Sequence, residues 1–231
     1  MGRPRRAAQG GLVYHTLNRA NARLTIFENQ GDFTAFERIL AEAVSRYAMR
    51  LLAYCLMPNH FHLLLWPRGD RDLSQFMQWL TLTHTQRWHA HHHTAGSGHL
   101  YQGRFKSFPV QSDDHFLTVC RYVERNAVRA KLVKSAQDWP WCSPGKRAGR
   151  QSPLWLLSLK HWPVRPQSGW MRHVNRADTT AELLAMRTCV RRGRPYGDER
   201  WEKRTAKQLG LESTLRTHGR QRLPIKDSRP L

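Results

Sequence analysis

The sequence predicts an α/β fold of the α+β kind: a ferredoxin-like antiparallel sheet sandwich, then a tyrosine-bearing helix and a basic helical C-terminal extension. Hydrophobic periodicity is the first observation behind this prediction, because segments of period two and period 3.6 follow one another along residues 12–111. Their order of strand, helix, strand, strand, helix, strand is that of the ferredoxin-like sandwich. The second observation is length, since 231 residues allow a stable domain with an appendage.

Each element of the sandwich is placed by its apolar residues and by the turns that flank it. Pro58 and Asn59 predict a tight antiparallel connection between two strands. Ser112, Asp113 and Asp114 are candidate N-caps for the helix that follows the sheet. In chain order, the predicted elements are a strand at 12–18, a helix at 32–49, strands at 50–57 and 59–67, a helix at 73–91, a hairpin or extended strand at 101–105 and 107–111, and a helix at 116–133.

Two histidines flank one apolar residue in the strand predicted at 59–67. Side chains alternate faces along a strand, so His60 and His62 point the same way while Phe61 points into a core. Two imidazoles side by side form half of a metal site. Taken alone, the pair is more simply explained as a chance arrangement on a half-exposed strand, so other residues have to decide.

The helix predicted at 116–133 carries Tyr122 and Asn126 one turn apart, on a stripe shared with His115 and Arg129. On the helix alone, a packing tyrosine and a solvated asparagine are the simpler interpretation. Together with the histidine pair, they supply the groups needed to attack a phosphodiester with a phenolate. The adjacent stripe is expected to be buried and consists of Phe116, Val119, Cys120, Val123, Ala127 and Ala130.

Four motifs, in order over residues 11–145, carry a resemblance to a known family. They are the segments 11–19 (GLVYHTLNR), 57–65 (MPNHFHLLL), 103–107 (GRFKS) and 121–130 (RYVERNAVRA). With them the chain resembles the HUH single-tyrosine transposases, which cleave and rejoin single-stranded DNA, and among these the REP-associated tyrosine transposases of bacteria. The segments 192–197 (RGRPYG) and 209–216 (LGLESTLR) resemble the tail that many REP-associated members carry.

The resemblance implies a metal-dependent endonuclease and strand transferase that acts on hairpin DNA. Tyr122 is then the nucleophile that forms a 5′-phosphotyrosine, and His60, His62 and Asn126 are ligands of Mg²⁺ or Mn²⁺. The family often has glutamine where this chain has Asn126, which is one methylene shorter, so the reach of this ligand has to be tested. The alternative is a domesticated protein that binds hairpin DNA or RNA without cleaving it. The joint presence of Tyr122, His60 and His62 favours catalysis.

The charge of the chain independently predicts an anionic partner. Lys and Arg number 38 against 17 Asp and Glu, a formal net charge of +21, and nucleic acid is the usual partner of so large an excess. Arginine dominates, and its forked guanidinium matches the geometry of phosphate. The candidate DNA contacts are Arg3, Arg5, Arg104, Lys106, Arg121, Arg125, Arg129, Arg191, Arg192 and Arg194.

Composition shifts divide the chain into four predicted regions. A run of Trp and Pro prevents long regular elements in the third region, and helices at 179–191 and 198–209 are predicted in the fourth. Trp139 and Trp141 are expected to pack under the tyrosine helix. The four regions are a basic flexible arm at 1–10, the catalytic domain at 11–145, a connector at 146–177 and a basic helical DNA-binding extension at 178–231.

The expected cellular setting follows from the cysteines and from the apolar pattern. Four cysteines without paired spacing predict neither a zinc ribbon nor a disulfide framework. Nothing resembles a signal peptide or an apolar run of ~18 residues, so we expect a cytoplasmic bacterial protein at the nucleoid, without a membrane partner. The expected partner is single-stranded hairpin DNA of the REP palindrome type, and the protein is expected to act as a monomer or a homodimer.

Overall fold

The structure, a computed structural model, describes residues 8–149 and 152–216 and has a four-stranded antiparallel sheet at its centre. Its strands are β1 (Val13–Arg19), β2 (Arg50–Met57), β3 (His60–Trp66) and β4 (Lys106–Val110). Their order across the sheet is β2-β3-β1-β4. Two crossover helices, α1 (Gln30–Arg46) and α2 (Asp72–His91), join the strands. This topology confirms the predicted ferredoxin-like sandwich.

Further helices follow the sheet, and the first two of them cover its second face. They are α3 (Asp114–Glu124), α4 (Asn126–Arg129), α5 (Ser143–Ala148), α6 (Trp170–Asn175), α7 (Thr180–Arg192) and α8 (Glu199–Leu209). The 3₁₀ turns are Asn21–Arg23, Ala136–Asp138, Leu159–His161 and Glu212–Thr214. Helices α7 and α8 begin and end within one residue of the predicted bounds. No helix in the two described ranges combines the length and apolar character that crossing a bilayer requires.

Alternation along β3 sends different side chains to the two faces of the sheet. Phe61, Leu63 and Leu65 are fully buried in the core beneath α1 and α2. Leu64 belongs to the second core, beneath α3, and His62 lies on the same face with its ring 5.9 Å from that of Tyr122. The histidine face predicted from period two is therefore the face that the tyrosine helix covers.

Helix α1 begins with a capping box and ends earlier than its apolar pattern predicted. The Asn29 side chain accepts hydrogen bonds from Gly31 N at 2.7 Å and Asp32 N at 3.2 Å. The Asp32 carboxylate in turn accepts a hydrogen bond from the Asn29 main-chain N–H. The helix ends at Arg46 because Ala48 adopts a left-handed conformation with φ of 45°. The predicted end at residue 49 was therefore three residues too late.

Of the hairpin or extended strand predicted at 101–105 and 107–111, only the second segment forms a strand, β4, so the hairpin alternative is wrong. Tyr101 makes an isolated bridge to Ala20 instead. Its hydroxyl lies 2.6 Å from His84 Nδ1, so the side chain is held beneath the sheet against α2. These tertiary contacts hold residues 100–102 against the loop after β1 and leave β4 at the edge of the sheet.

The tyrosine helix is interrupted at Arg125 and ends before residue 133. Asp113, one of the three candidate caps, is its N-cap. Arg125 adopts φ of −89° and ψ of 5°, which separates α3 from α4. A Schellman motif then ends α4, because Lys131 is left-handed and the N–H of Leu132 bonds to the oxygen of Ala127. The predicted buried stripe is confirmed as far as Ala127, but Ala130 lies past the helix end and is exposed.

Of the two tryptophans expected beneath the tyrosine helix, Trp139 borders both hydrophobic cores, whereas Trp141 borders the core beneath α1 and α2. Trp141 stacks on Phe33 of α1 with ring centroids 5.0 Å apart, and Trp139 meets the same ring edge-on at 5.8 Å. Trp162 instead packs edge-on against Phe116 of α3 at 5.2 Å. Trp170 donates through Nε1 to Glu124 at 2.9 Å. The tryptophans between the sheet and α7 therefore pack on both faces of the sheet.

Helix α7 docks on the second core. Met186 is fully buried and Cys189 is 3 % exposed, and both lie in the core cluster that contains Val119 and Val123 of α3. Leu184, by contrast, is 65 % exposed. All four cysteines of the chain are free and buried, in agreement with the absence of paired spacing. Helix α7 of the tail therefore completes the hydrophobic layer above α3.

Candidate active site

Strands β1 and β3 bring three imidazoles under the tyrosine helix. The ring centroids of His60 and His62 are 5.1 Å apart, and those of His62 and His15 are also 5.1 Å apart. The Tyr122 ring lies edge-on to both His62 and His15, at 5.9 Å and 6.1 Å. The structure thus brings the predicted nucleophile and the predicted histidine pair together, with one histidine that the prediction did not include.

Each histidine of the predicted pair is held through its Nδ1 atom. His62 Nδ1 lies 2.9 Å from His15 Nε2, in a buried hydrogen bond between two side chains. His60 Nδ1 donates to Asn59 Oδ1 at 2.6 Å. When Nδ1 carries the proton in both rings, Nε2 keeps its lone pair. Asn59 and His15 therefore orient His60 and His62 in the manner of outer-sphere partners of metal-binding imidazoles.

Burial keeps these imidazoles uncharged at neutral pH. It lowers the pKa of His15 to about 3, and the Arg129 cation acts in the same direction. Burial, followed by the cations of Arg19 and Arg129, lowers the pKa of His60 to about 4. Burial is also the main reason why the pKa of His62 lies well below its ordinary value. A neutral imidazole is the form that binds a metal ion, so the donor set fits a divalent cation.

Tyr122 and Asn126 occupy the end of α3 and the start of α4. The Tyr122 side chain is half-buried, and the guanidinium of Arg129 lies over its ring at 4.1 Å from the centroid. Asn126 is 7 % exposed. Within the described residues its amide makes no hydrogen bond to either histidine, so its service as a ligand stays a prediction. Its oxygen is of the hard type that Mg²⁺ and Mn²⁺ accept.

A second group of metal-binding side chains lies on the other face of the sheet. Ligand atoms of Asp32, His91 and His92 are all within 4.8 Å of one another. They belong to the start of α1 and the end of α2, and His92 stacks on Trp88 at 4.2 Å while bonding Asp32 at 3.1 Å. Because α1 and α2 cover the face opposite α3, an ion held there would not be adjacent to Tyr122.

The sequence-predicted DNA contacts divide into paired and unpaired cations. Arg121, Arg125 and Arg129 form ion pairs with carboxylates of the tail. Arg194 pairs with Glu202 at 2.6 Å, and Arg192 donates to Ser213 O at 3.4 Å. Among the residues the structure describes, Arg104, Lys106 and Arg191 pair with no carboxylate. Arg3 and Arg5 lie outside the described residues.

The unpaired cations Arg104 and Lys106 line a cavity of about 420 Å³ next to β1, which Arg19 also lines. The Arg19 Nε atom is buried and has no hydrogen-bond partner in the described part of the chain. Its Cα lies opposite that of His60 in the strand register. Val190 of α7 closes the cavity on the tail side. This arrangement is a basic recess at the edge of the histidine site.

Two site residues, His15 and Arg19, were missed by the sequence prediction of the site. Both lie in the segment 11–19 that carries the family resemblance, at period-two positions of β1 that face α3. Because side chains alternate faces along a strand, the sequence pattern indicates that His15 and Arg19 point to the face opposite that of Tyr14. This pattern was not enough to place His15 in the site, because only the pairing of β1 with β3 decides which histidine His15 contacts.

Acid should destabilise the fold through buried imidazoles, and His84 provides a test outside the site. Burial lowers its pKa to about 3, below the unfolded value of about 6.5. Its contribution is therefore fully present above pH 6.5 and is lost as the pH falls from there towards 3. By pH 5 the loss reaches about 2 kcal/mol for one such residue. Urea unfolding of the protein at pH 7.5 and pH 5, compared with His84→Gln, should show a smaller pH dependence in the variant. Equal pH dependence would mean that His84 titrates normally in the fold.

The chain matches known proteins over the region that holds this site. Residues 8–126 match the family model of IS200-like transposases. A REP-associated tyrosine transposase of Escherichia coli K12 is 23% identical over 135 residues, which cover 58% of this chain and 76% of that protein. A Haemophilus influenzae protein assigned to the same group is 23% identical over 146 residues, 58% of this chain and 80% of that protein. A solved REP-associated tyrosine transposase bound to a REP hairpin has a similar fold, with a TM-score of 0.53 and 19% identity over 68% of this chain and 92% of that one.

Proposed function

The chain belongs to the family of IS200-like transposases, and from that premise we propose that it cuts and rejoins single-stranded hairpin DNA through a covalent bond to Tyr122. The observation that carries the proposal is the convergence of Tyr122 with the neutral pair His60 and His62 under one helix. A protein that only bound DNA would not require a phenol beside two oriented imidazoles. The hairpin substrate is suggested by the relative whose fold this chain shares and which is bound to a REP hairpin.

The proposed reaction exchanges one phosphodiester for another. The Tyr122 oxygen attacks the phosphorus of the scissile bond, its proton passes to solvent, and the bond from phosphorus to the 3′-oxygen breaks. The leaving strand takes up a proton as a free 3′-hydroxyl, and the other strand stays attached as a 5′-phosphotyrosine. Another 3′-hydroxyl can reverse these steps and join strands without ATP, because the energy of the phosphodiester is kept.

The residues that would hold a divalent ion in this reaction are His60, His62 and Asn126. When bound, Mg²⁺ or Mn²⁺ supplies Lewis-acid charge at the phosphate oxygens. His15 and Asn59 engage the Nδ1 atoms of the two imidazoles, which leaves both Nε2 atoms for the ion, and burial keeps the rings neutral. The cations that line the recess beside β1 would hold the flanking backbone of the DNA.

Salt dependence should distinguish the unpaired cations from the paired ones. The logarithm of affinity falls linearly with the logarithm of salt concentration. For single-stranded DNA, each phosphate that the protein neutralises adds roughly −0.7 to the slope of that line. The variant Arg104→Gln, Lys106→Gln, Arg191→Gln should therefore flatten the slope by about 2. Fluorescence anisotropy with a hairpin that carries a single-stranded flank measures it. The matched control is Arg87→Gln, because Arg87 pairs with Glu42 at the surface of α1 and α2. An unchanged slope in the triple variant would remove these residues from the interface.

The function is tested by incubating the purified protein with Mg²⁺ and an end-labelled hairpin taken from the DNA that flanks its gene. With a distinct label at each end of the hairpin, denaturing electrophoresis should show the free 5′ fragment and the protein-linked 3′ fragment in equal amounts. Peptide mass spectrometry should locate the linkage at Tyr122. Tight hairpin binding without any cleavage or adduct over several metal ions would favour the alternative, a binder that has lost the reaction.

A further inference from the structure

One buried carboxylate of the tail holds three arginines of the tyrosine helices. The side chain of Asp178 is 3 % exposed and lies just before α7. Its Oδ2 atom accepts from Arg125 Nη1 at 3.0 Å and from Arg129 Nη1 at 3.2 Å. Its Oδ1 atom lies 3.8 Å from Arg121 Nε. These arginines were predicted to contact DNA, but one aspartate gathers them inside the protein.

The third arginine of this cluster also holds the nucleophile. Arg129 donates from Nη2 to the main-chain oxygen of Tyr122 at 3.2 Å, and its guanidinium carbon lies 4.1 Å from the centre of the Tyr122 ring. A guanidinium is planar and its donors are fixed relative to one another. A bond from Nη1 to Asp178 therefore constrains the plane that stacks on the tyrosine ring.

We propose that Asp178 is a positioning residue for the nucleophile and acts through Arg129. Docking of the tail places the carboxylate, the carboxylate orients the guanidinium, and the guanidinium limits the directions in which the Tyr122 ring points. The inference rests on the proposed function, since it gives Tyr122 a reaction to be oriented for. It assigns part of the active-site geometry to residue 178, beyond the segment 8–126 that matches the family.

Simple stabilisation of the docked tail does not require this arrangement. Glu182, on the first turn of α7, already pairs with Arg121 and thereby ties α7 to α3. Asp178 is the carboxylate that reaches Arg129, at a site where burial makes a charge costly unless it is well paired. The two carboxylates thus provide a matched comparison. One touches the arginine that stacks on Tyr122, and the other ties the same helices together without touching it.

The test compares Asp178→Asn with Glu182→Gln. Both remove one charge at the N-terminal end of α7, and glutamine can still serve in the capping box that Glu182 forms with Thr179. In single turnover with a hairpin substrate, Asp178→Asn should slow adduct formation roughly tenfold to a hundredfold, the range expected for a misplaced reacting group. The dissociation constant for the hairpin should stay within about twofold of wild type. Glu182→Gln should form the adduct at the wild-type rate.

Two further measurements separate positioning from a loss of folding or of function. Arg129→Lys keeps a charge for Asp178 but loses the planar contact, so it should slow adduct formation even if Asp178→Asn is too unstable to study. In the double variant Asp178→Asn, Arg129→Lys, the rate should be no lower than in Arg129→Lys, because the aspartate acts through the arginine. Fluorotyrosine ¹⁹F NMR, with Tyr122 assigned by its phenylalanine variant, should show a shifted or broadened Tyr122 signal in Asp178→Asn and an unchanged one in Glu182→Gln.

The outcomes are distinguishable. Equal slowing in Asp178→Asn and Glu182→Gln, or additive losses in the double variant, would overturn the inference in favour of general stabilisation. Weaker hairpin binding with an unchanged adduct rate would overturn it in favour of direct DNA contact by the arginines. An inactive wild-type protein whose Tyr122 signal still responds to Asp178→Asn would defeat the proposed reaction and leave the positioning contact standing.

Discussion

Replacing Tyr122 by phenylalanine is expected to abolish strand cleavage while leaving the fold and hairpin binding intact. The variant lacks only the oxygen that would form the bond to phosphorus, so the rate should fall by roughly three orders of magnitude or more. Within the described residues the Tyr122 hydroxyl makes no hydrogen bond, so its removal leaves no buried partner unsatisfied. Adduct formation and cleavage on denaturing gels, with hairpin affinity measured in parallel, check this result.

The matched control for this prediction is Tyr14→Phe. Tyr14 is 1 % exposed, lies on β1 and points to the opposite face of the sheet, where its hydroxyl donates to Gln9 O at 3.1 Å. Burial raises its pKa far above the ordinary value, so it is poorly suited to act as a nucleophile. Tyr14→Phe should cleave at the wild-type rate. A DNA-linked peptide from the Tyr122→Phe protein would refute the assignment.

Removing the metal is expected to have the second largest effect. Chelation by EDTA should stop cleavage, and added Mg²⁺ or Mn²⁺ should restore it. His62→Ala should stay inactive at ordinary metal concentrations, with a loss of about a thousandfold or more, because Lewis-acid stabilisation contributes several kcal/mol. Alanine also leaves the buried His15 without its partner, so His62→Gln is the companion variant that keeps a polar group there.

The second ligand cluster provides the control for this experiment. His91 is exposed and belongs to the group formed with Asp32 and His92 on the far side of the sheet. His91→Ala should keep full cleavage and the same metal requirement if the ion at His60 and His62 is the relevant one. Full activity in chelator, or an equal loss in His91→Ala and His62→Ala, would contradict the assignment of the histidine pair.

Much of the fold and part of the site could be predicted from the sequence because they depend on short-range patterns. Period two along residues 59–67 set the faces of β3, and with them the common direction of His60 and His62. Asp113 was among the three candidate N-caps of α3, and the local pattern placed the starts of α7 and α8 within one residue. The order of these elements was sufficient for the ferredoxin-like topology.

Contacts between distant segments were decided by the tertiary structure alone. The bond between His15 and His62 spans 47 residues, and the one between Arg129 and Asp178 spans 49. No periodicity reports such pairings, because they depend on strand register and on how the tail docks. Arginines on a helix look alike in the sequence whether they face DNA or a buried carboxylate. The sequence determined the elements and the groups available for chemistry, and only packing decided that Asp178 meets Arg129 and that Arg129 lies over Tyr122.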